Sequence, residues 1–175
     1  MNAAKNVFEA FEEISTQLIS HLKDLSENQL NSIPFEGSWT AAQVGNHLFK
    51  SYAVAYTLKG NTAACDRQVD QKVWDIKNVF LDFTIKMASP EAILPDNNPI
   101  SKAQLIRQLT ERIEELKALK DEDLHRVCLD FIIPEYGEFT RLEWMWFTIF
   151  HTRRHVYQLE KIIAKLPKNS YHNVS

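Results

Sequence analysis

The sequence predicts an all-α fold, a four-helix bundle with a long crossover between helices two and three. Three observations carry this. Apolar residues recur at helical spacing in four long segments. Three of those segments open on a Ser/Thr-x-x-Gln/Glu capping box. Glycine is scarce, with four in 175 residues, where a turn-rich β architecture would use more.

Helix one is expected over residues 4–25. Val7, Phe8, Phe11, Ile14, Leu18 and Leu22 repeat at helical spacing between acids and polar residues. Residues 26–38, with Pro34 and Gly37, read as a loop. Thr40 and Gln43 form a T-x-x-Q box that opens helix two, which continues to Leu58 and stops at Lys59-Gly60-Asn61. Residues 61–98 form the crossover. Val73, Trp74, Ile76, Val79, Phe80 and Phe83 suggest an irregular helix within it, and Pro90, Pro95 and Pro99 punctuate the extended stretch beyond that helix. Ser101 and Gln104 open helix three, which reaches Leu119 with Leu105, Ile106, Leu109, Ile113 and Leu116 inward. After a loop containing Pro134 and Gly137, Thr140 and Glu143 open helix four, which Pro167 ends after Leu166.

Short loops make helices one and two antiparallel, and likewise three and four. The crossover is long enough to return along the bundle, so two and three run parallel and two and four antiparallel. Residues 1–175 read as one domain of ordinary globular composition, 45% apolar and 25% charged. A net charge of −3 gives no electrostatic footprint for a nucleic-acid partner, which needs a basic face. No apolar stretch is long enough for a membrane span. The opening MNAAKNVFEAFEE lacks the apolar core of an export signal. Cys65 and Cys128 are isolated, so a reducing, cytoplasmic location is expected.

The six histidines are His21, His47, His125, His151, His155 and His172. At about 100° per residue, Thr40, Gln43, Val44, His47, Ser51, Val54 and Leu58 share one stripe of helix two. Trp144, Phe147, Thr148, His151, His155, Gln158 and Ile162 share one of helix four. His151 and His155 stand one turn apart, so both rings can converge on one ion. His47 lies about 10 Å past its cap and His155 about 16 Å from the end of helix four. Antiparallel helices would bring all three to comparable levels. Three neutral imidazoles suit Zn²⁺ or Ni²⁺ and leave a coordination position open. Hydrogen-bonded core or surface histidines are the plainer alternative.

At Gly37-Ser38-Trp39-Thr40-Ala41-Ala42-Gln43-Val44-Gly45-Asn46-His47-Leu48, Phe139-Thr140-Arg141-Leu142-Glu143-Trp144 and His151-Thr152-Arg153-Arg154-His155-Val156-Tyr157-Gln158-Leu159, the chain resembles the DinB/YfiT-like family of four-helix-bundle proteins. Ser89-Pro90-Glu91 and Leu94-Pro95 fit the same layout, and the similarity covers nearly the whole chain. The resemblance implies a Zn²⁺ or Ni²⁺ site at His47, His151 and His155. It also implies relatives that are bacillithiol S-transferases or mycothiol-dependent maleylpyruvate isomerases, among many with no known reaction.

Other motifs carry less. H-T-R-R-H lacks the glutamate of the H-E-x-x-H proteases. Glu122-Asp123-Leu124-His125 is a single E-x-x-H in a charged run, where a di-iron bundle needs two. No phosphate loop and no G-x-S-x-G elbow occurs. Arg154 borders the histidine stripe as a candidate for a substrate carboxylate, and a rim arginine is the alternative. Gln158 is a candidate for substrate or for orienting a ligand, or for ordinary interhelical bonding. Tyr157 reads as packing. Trp144, Trp146, Phe147 and Phe150 exceed what one core stripe needs, which suggests a homodimer surface. The function expected is metal-dependent transfer of a low-molecular-weight thiol to a small electrophilic substrate, by catalytic groups the sequence does not name. A metal-hydroxide hydrolase on the same ligands, or a non-catalytic bundle that retains a metal, are the alternatives.

Overall fold

The computed structural model describes residues 3–167; His172 lies outside them. Helix one is α1 (Ala3–Asp24), followed by a short α2 (Glu27–Asn31). The expected loop therefore contains a turn of helix. Its signal was present, since Ser26 and Gln29 form a complete capping box, the same pattern that opens the longer helices.

Helix two is two pieces, α3 (Ala41–Ser51) and α4 (Val54–Lys59). Between them the amides of Ala53, Ala55 and Tyr56 bond to carbonyls only three residues back, at 3.0–3.2 Å, tightening one turn. The Ser51 hydroxyl donates to the Leu48 carbonyl at 2.9 Å, and such back-bonding commonly bends a helix. At the end of α4 a β-carbon on Gly60 would lie 1.9 Å from Asp130 Oδ2. Only glycine allows that approach, which lets Asp130 accept from the Asn61 amide and side chain at 2.8 Å each.

The crossover begins with β1 (Thr62–Ala63) and carries α5 (Val73–Leu81), which buries Ile76 and Phe80 and leaves Trp74 exposed. Phe83, expected in this helix, lies beyond its end and is exposed. A 3₁₀ turn at Glu91–Ile93 precedes α6 (Lys102–Lys117), which is helix three. A second 3₁₀ turn, Ala118–Asp121, leads to β2 (Val127–Cys128), which pairs antiparallel with β1. Two residues per strand are too few to show a periodicity. Helix four is α7 (Arg141–Ile163), opened by a complete box at Thr140 and Glu143.

The expected directions hold. Phe11 meets Tyr52 and Leu22 lies beside Gly45, so α1 and helix two are antiparallel. Gly45 lies against Leu105 and Tyr56 bonds to Arg112, so helices two and three are parallel. The Arg141 side chain donates to the Leu58 carbonyl at 2.7 Å, while His47 meets His155. Helices two and four are therefore antiparallel.

One cluster of buried apolar side chains joins all four helices. The aromatics of α7 belong largely to it. Trp144 and Phe150 are buried, and Phe147 packs edge-on against Phe80 of α5 at 4.8 Å. Trp144 packs against Phe139 and Phe147, and Phe150 stacks on Trp146, so these aromatics largely pack against one another and the chain's own interior.

The start of α7 is tied to the crossover by one carboxylate. Glu143 is fully buried and accepts two bonds from Arg67 at 2.7 Å, one from the Lys72 amide at 2.9 Å and one from the Thr140 amide at 2.9 Å. With every lone pair directed at a donor, the charge is tolerated in the interior. No described helix is long and apolar enough to cross a membrane.

Candidate metal centre

The Thr40 cap sets the phase of α3 so that His47 faces inward and is 1% exposed. The Thr140 cap does the same for α7, where His151 and His155, one turn apart, are each 8% exposed. His151 Nε2 lies 3.0 Å from His47 Nε2 and 3.0 Å from His155 Nε2. The three Nε2 atoms fall within 4.8 Å of one another, and among the described residues no carboxylate or thiolate belongs to the cluster.

The outer face of two rings is fixed by carbonyl oxygens. His47 Nδ1 donates to the Ile93 carbonyl at 2.8 Å, and His155 Nδ1 donates to Gln158 Oε1 at 2.8 Å. In a neutral ring the proton then sits on Nδ1, and Nε2 carries a lone pair. Both lone pairs aim at His151 Nε2, which has at most one proton to offer. At least one of the two close N···N contacts is therefore without a hydrogen. A cation satisfies all three nitrogens together, and tetrahedral Zn²⁺ at its usual Zn–N distance wants donors about 3.3 Å apart. The residues present fit a divalent ion.

The rings are held neutral. Burial, above all, pushes His155 down to about 3, with the neighbouring His47 adding to the effect. Burial also drives His151 well below the ordinary range, helped by His155 and His47. His47 is lowered by burial and by Lys50, against an opposing contribution from its bond to Ile93. Neutral imidazole is the metal-binding form.

Aromatic rings wall the cluster. Trp39 stacks over His155 at 6.2 Å and leans on His47 at 5.2 Å between centroids. Phe80 meets His151 edge-on at 5.9 Å and Phe147 stacks on it at 5.9 Å. The sequence alone assigns no role to Trp39, although it immediately precedes the Thr40 cap. Nor can it reveal the Ile93 carbonyl, because a backbone oxygen has no signature.

Gln158 bonds to His155, in the orienting position. The Arg154 guanidinium donates to the carbonyls of Phe80, Asp82 and Ile85, fastening the end of α5 to α7. Tyr157 stacks on Phe83 at 4.0 Å, a packing contact. His21 lies 3.5 Å from Glu160, and His125 is exposed. Glu122 is exposed and pairs with the buried Arg141 at 3.1 Å, so the carboxylate and imidazole of the E-x-x-H run lie at the surface.

The sequence profile of the DinB superfamily matches residues 10–159, a span that contains all three histidines. YuaE, an uncharacterized protein of Bacillus subtilis (strain 168), is 28% identical over 164 residues, 90% of this chain and 98% of YuaE. Among solved structures, YfiT of Bacillus subtilis superposes with a TM-score of 0.50 at 22% identity, over 92% of this chain and 86% of that one. It is described as a probable metal-dependent hydrolase with an unusual four-helix bundle topology.

Proposed function

The chain belongs to the DinB superfamily, and from that premise we propose that it is a metal-dependent enzyme whose ion is held by His47, His151 and His155. The observation that carries the reading is the convergence of three neutral imidazoles, with no charged ligand, on one buried point. Zn²⁺ is the first choice and Ni²⁺ the second, since both accept imidazole donors.

The reaction we propose is transfer of a low-molecular-weight thiol to a small electrophile. An ion of this kind, when bound, supplies a nucleophile near neutral pH by lowering the pKa of a thiol or water. The protein's own groups favour the thiol. Five of the six ring nitrogens are committed, two to carbonyl acceptors and three to the cluster, and among the described residues no carboxylate belongs to the cluster to act as general base. A thiol, ionising near 8.5, needs a far smaller shift than water. Trp39, Phe80 and Phe147 exclude water from the rings, while the Ile93 and Gln158 oxygens keep two protons on the outer nitrogens.

A metal-dependent hydrolase on the same ligands is the second reading, favoured by the description of YfiT. Product analysis with and without added thiol separates the two. Thiol adducts formed only by metal-loaded protein support the first; hydrolysis products that need no thiol support the second. Turnover retained by metal-free protein would sink both.

All three ligands come from one chain, so the proposed centre is complete without a partner, and a homodimer would form around it. A cytoplasmic location suits the two free cysteines. Burial pushes the Cys128 thiol up to about 11, leaving it an inert core side chain.

A further inference from the structure

Residues 93–96 of the crossover are fastened to one stripe of α3. Gln43 Nε2 donates to the Asp96 carbonyl at 3.3 Å, and Asn46 Oδ1 accepts from the Asp96 amide at 2.9 Å. Lys50 Nζ donates to the Leu94 carbonyl at 2.7 Å and to Asp96 Oδ1 at 2.9 Å. His47 bonds to the Ile93 carbonyl in the middle of this ladder. Positions 43, 46, 47 and 50 share one helix face, so the segment is laid along the helix and its first carbonyl reaches the imidazole.

We propose that Lys50 is a positioning residue of the metal centre: by holding Leu94 and Asp96 it seats the Ile93 carbonyl on His47 Nδ1 and so presents Nε2 to the cluster. This rests on the metal-centre reading above. A cation on Nε2 makes the Nδ1–H a stronger donor, which tightens the ring onto Ile93. Because coupling between two equilibria is reciprocal, a well-seated segment raises metal affinity and bound metal steadies the segment.

The role can be told from that of a mere nearby charge, because the two predict opposite signs. An ammonium one turn from His47 repels a cation. Removing it would strengthen metal binding if charge were all it contributed. Removing its bonds to Leu94 and Asp96 would weaken binding if it positions His47.

The test is a zinc titration of the full chain, purified without a nickel column, against a chromophoric chelator. Lys50→Met is expected to bind zinc about fivefold more weakly or worse, the low end of couplings between linked sites. Lys50→Arg, which keeps charge and donors, should stay close to the parent protein. Equal or tighter binding by Lys50→Met overturns the proposal. Hydrogen exchange of the unsubstituted protein gives an independent readout. The amides of Ile93, Leu94 and Asp96, which donate to Pro90, Glu91 and Asn46, should exchange more slowly with zinc. Zinc binding without that protection also overturns the proposal. A parent protein that takes up no zinc removes the metal centre itself, which is a different result from either.

Discussion

His47 Nε2 and His151 Nε2 lie 3.0 Å apart although 104 residues separate them in the chain. No local structure produces that contact. It exists because helices two and four run antiparallel at the right level, so the centre tests the fold as well as the chemistry.

Replacing any one of the three ligands should remove the metal. His47→Ala, His151→Ala and His155→Ala are each expected to fall from about one ion per chain to background, measured by plasma mass spectrometry. Full metal content in any of these variants would exclude that residue as a ligand.

Gln158→Leu removes the acceptor of the His155 Nδ1 proton and frees the ring to turn or change tautomer. Loss of such a partner typically costs about 10–100-fold in metal affinity. Gln158→Glu, which keeps an acceptor oxygen, should retain most of it. Competition titration with zinc measures both.

The metal-free protein should lose stability as pH falls below about 6.5, the ordinary histidine value. Folded-state values are depressed, to about 3 for His155, so between those limits the unfolded chain binds more protons than the folded one. Each histidine kept neutral therefore contributes a slope of about 1.4 kcal/mol per pH unit, with stability rising toward neutral pH. Urea denaturation of chelator-treated protein between pH 7 and pH 4 would reveal it. A flat profile would mean that the rings are not held neutral.

Glu143→Ala leaves the Arg67 guanidinium without its carboxylate and the Lys72 and Thr140 amides without their acceptor. Breaking a buried pair from one side costs about 3–5 kcal/mol. At roughly 2–4 °C per kcal/mol for a domain of this size, a fall of about 10 °C in melting temperature is expected by calorimetry. A shift of a degree or two would show that water replaces these bonds.

Much of the fold and of the three-histidine cluster was legible in the sequence, and the reasons are local. The Thr40–Gln43 and Thr140–Glu143 boxes set where two helices begin, and that fixes the phase of His47, His151 and His155. The spacing of His151 and His155 then says they share a face, and the loop lengths say which helices oppose. What stayed hidden depends on tertiary or backbone contacts. The Ile93 carbonyl, the three carbonyls under Arg154 and the pairing of Thr62 with Cys128 leave no periodic trace. The break at Tyr52 and Ala53 falls in a run that reads as continuous helix. The turn of helix at Glu27–Asn31 did leave a trace, in Ser26 and Gln29, but a loop containing Pro34 and Gly37 masked it.

That the cluster consists of three histidines, with no carboxylate or thiolate among them, has an electrostatic consequence. Three imidazoles contribute no charge, so a divalent cation placed among them would keep its full double charge in surroundings of low polarity. Charge balance then falls to the fourth position, where an anion gains far more than a neutral molecule of the same size. Selection there would be by sign before shape. Halide, azide or a thiolate should compete for it strongly, and a neutral alcohol hardly at all.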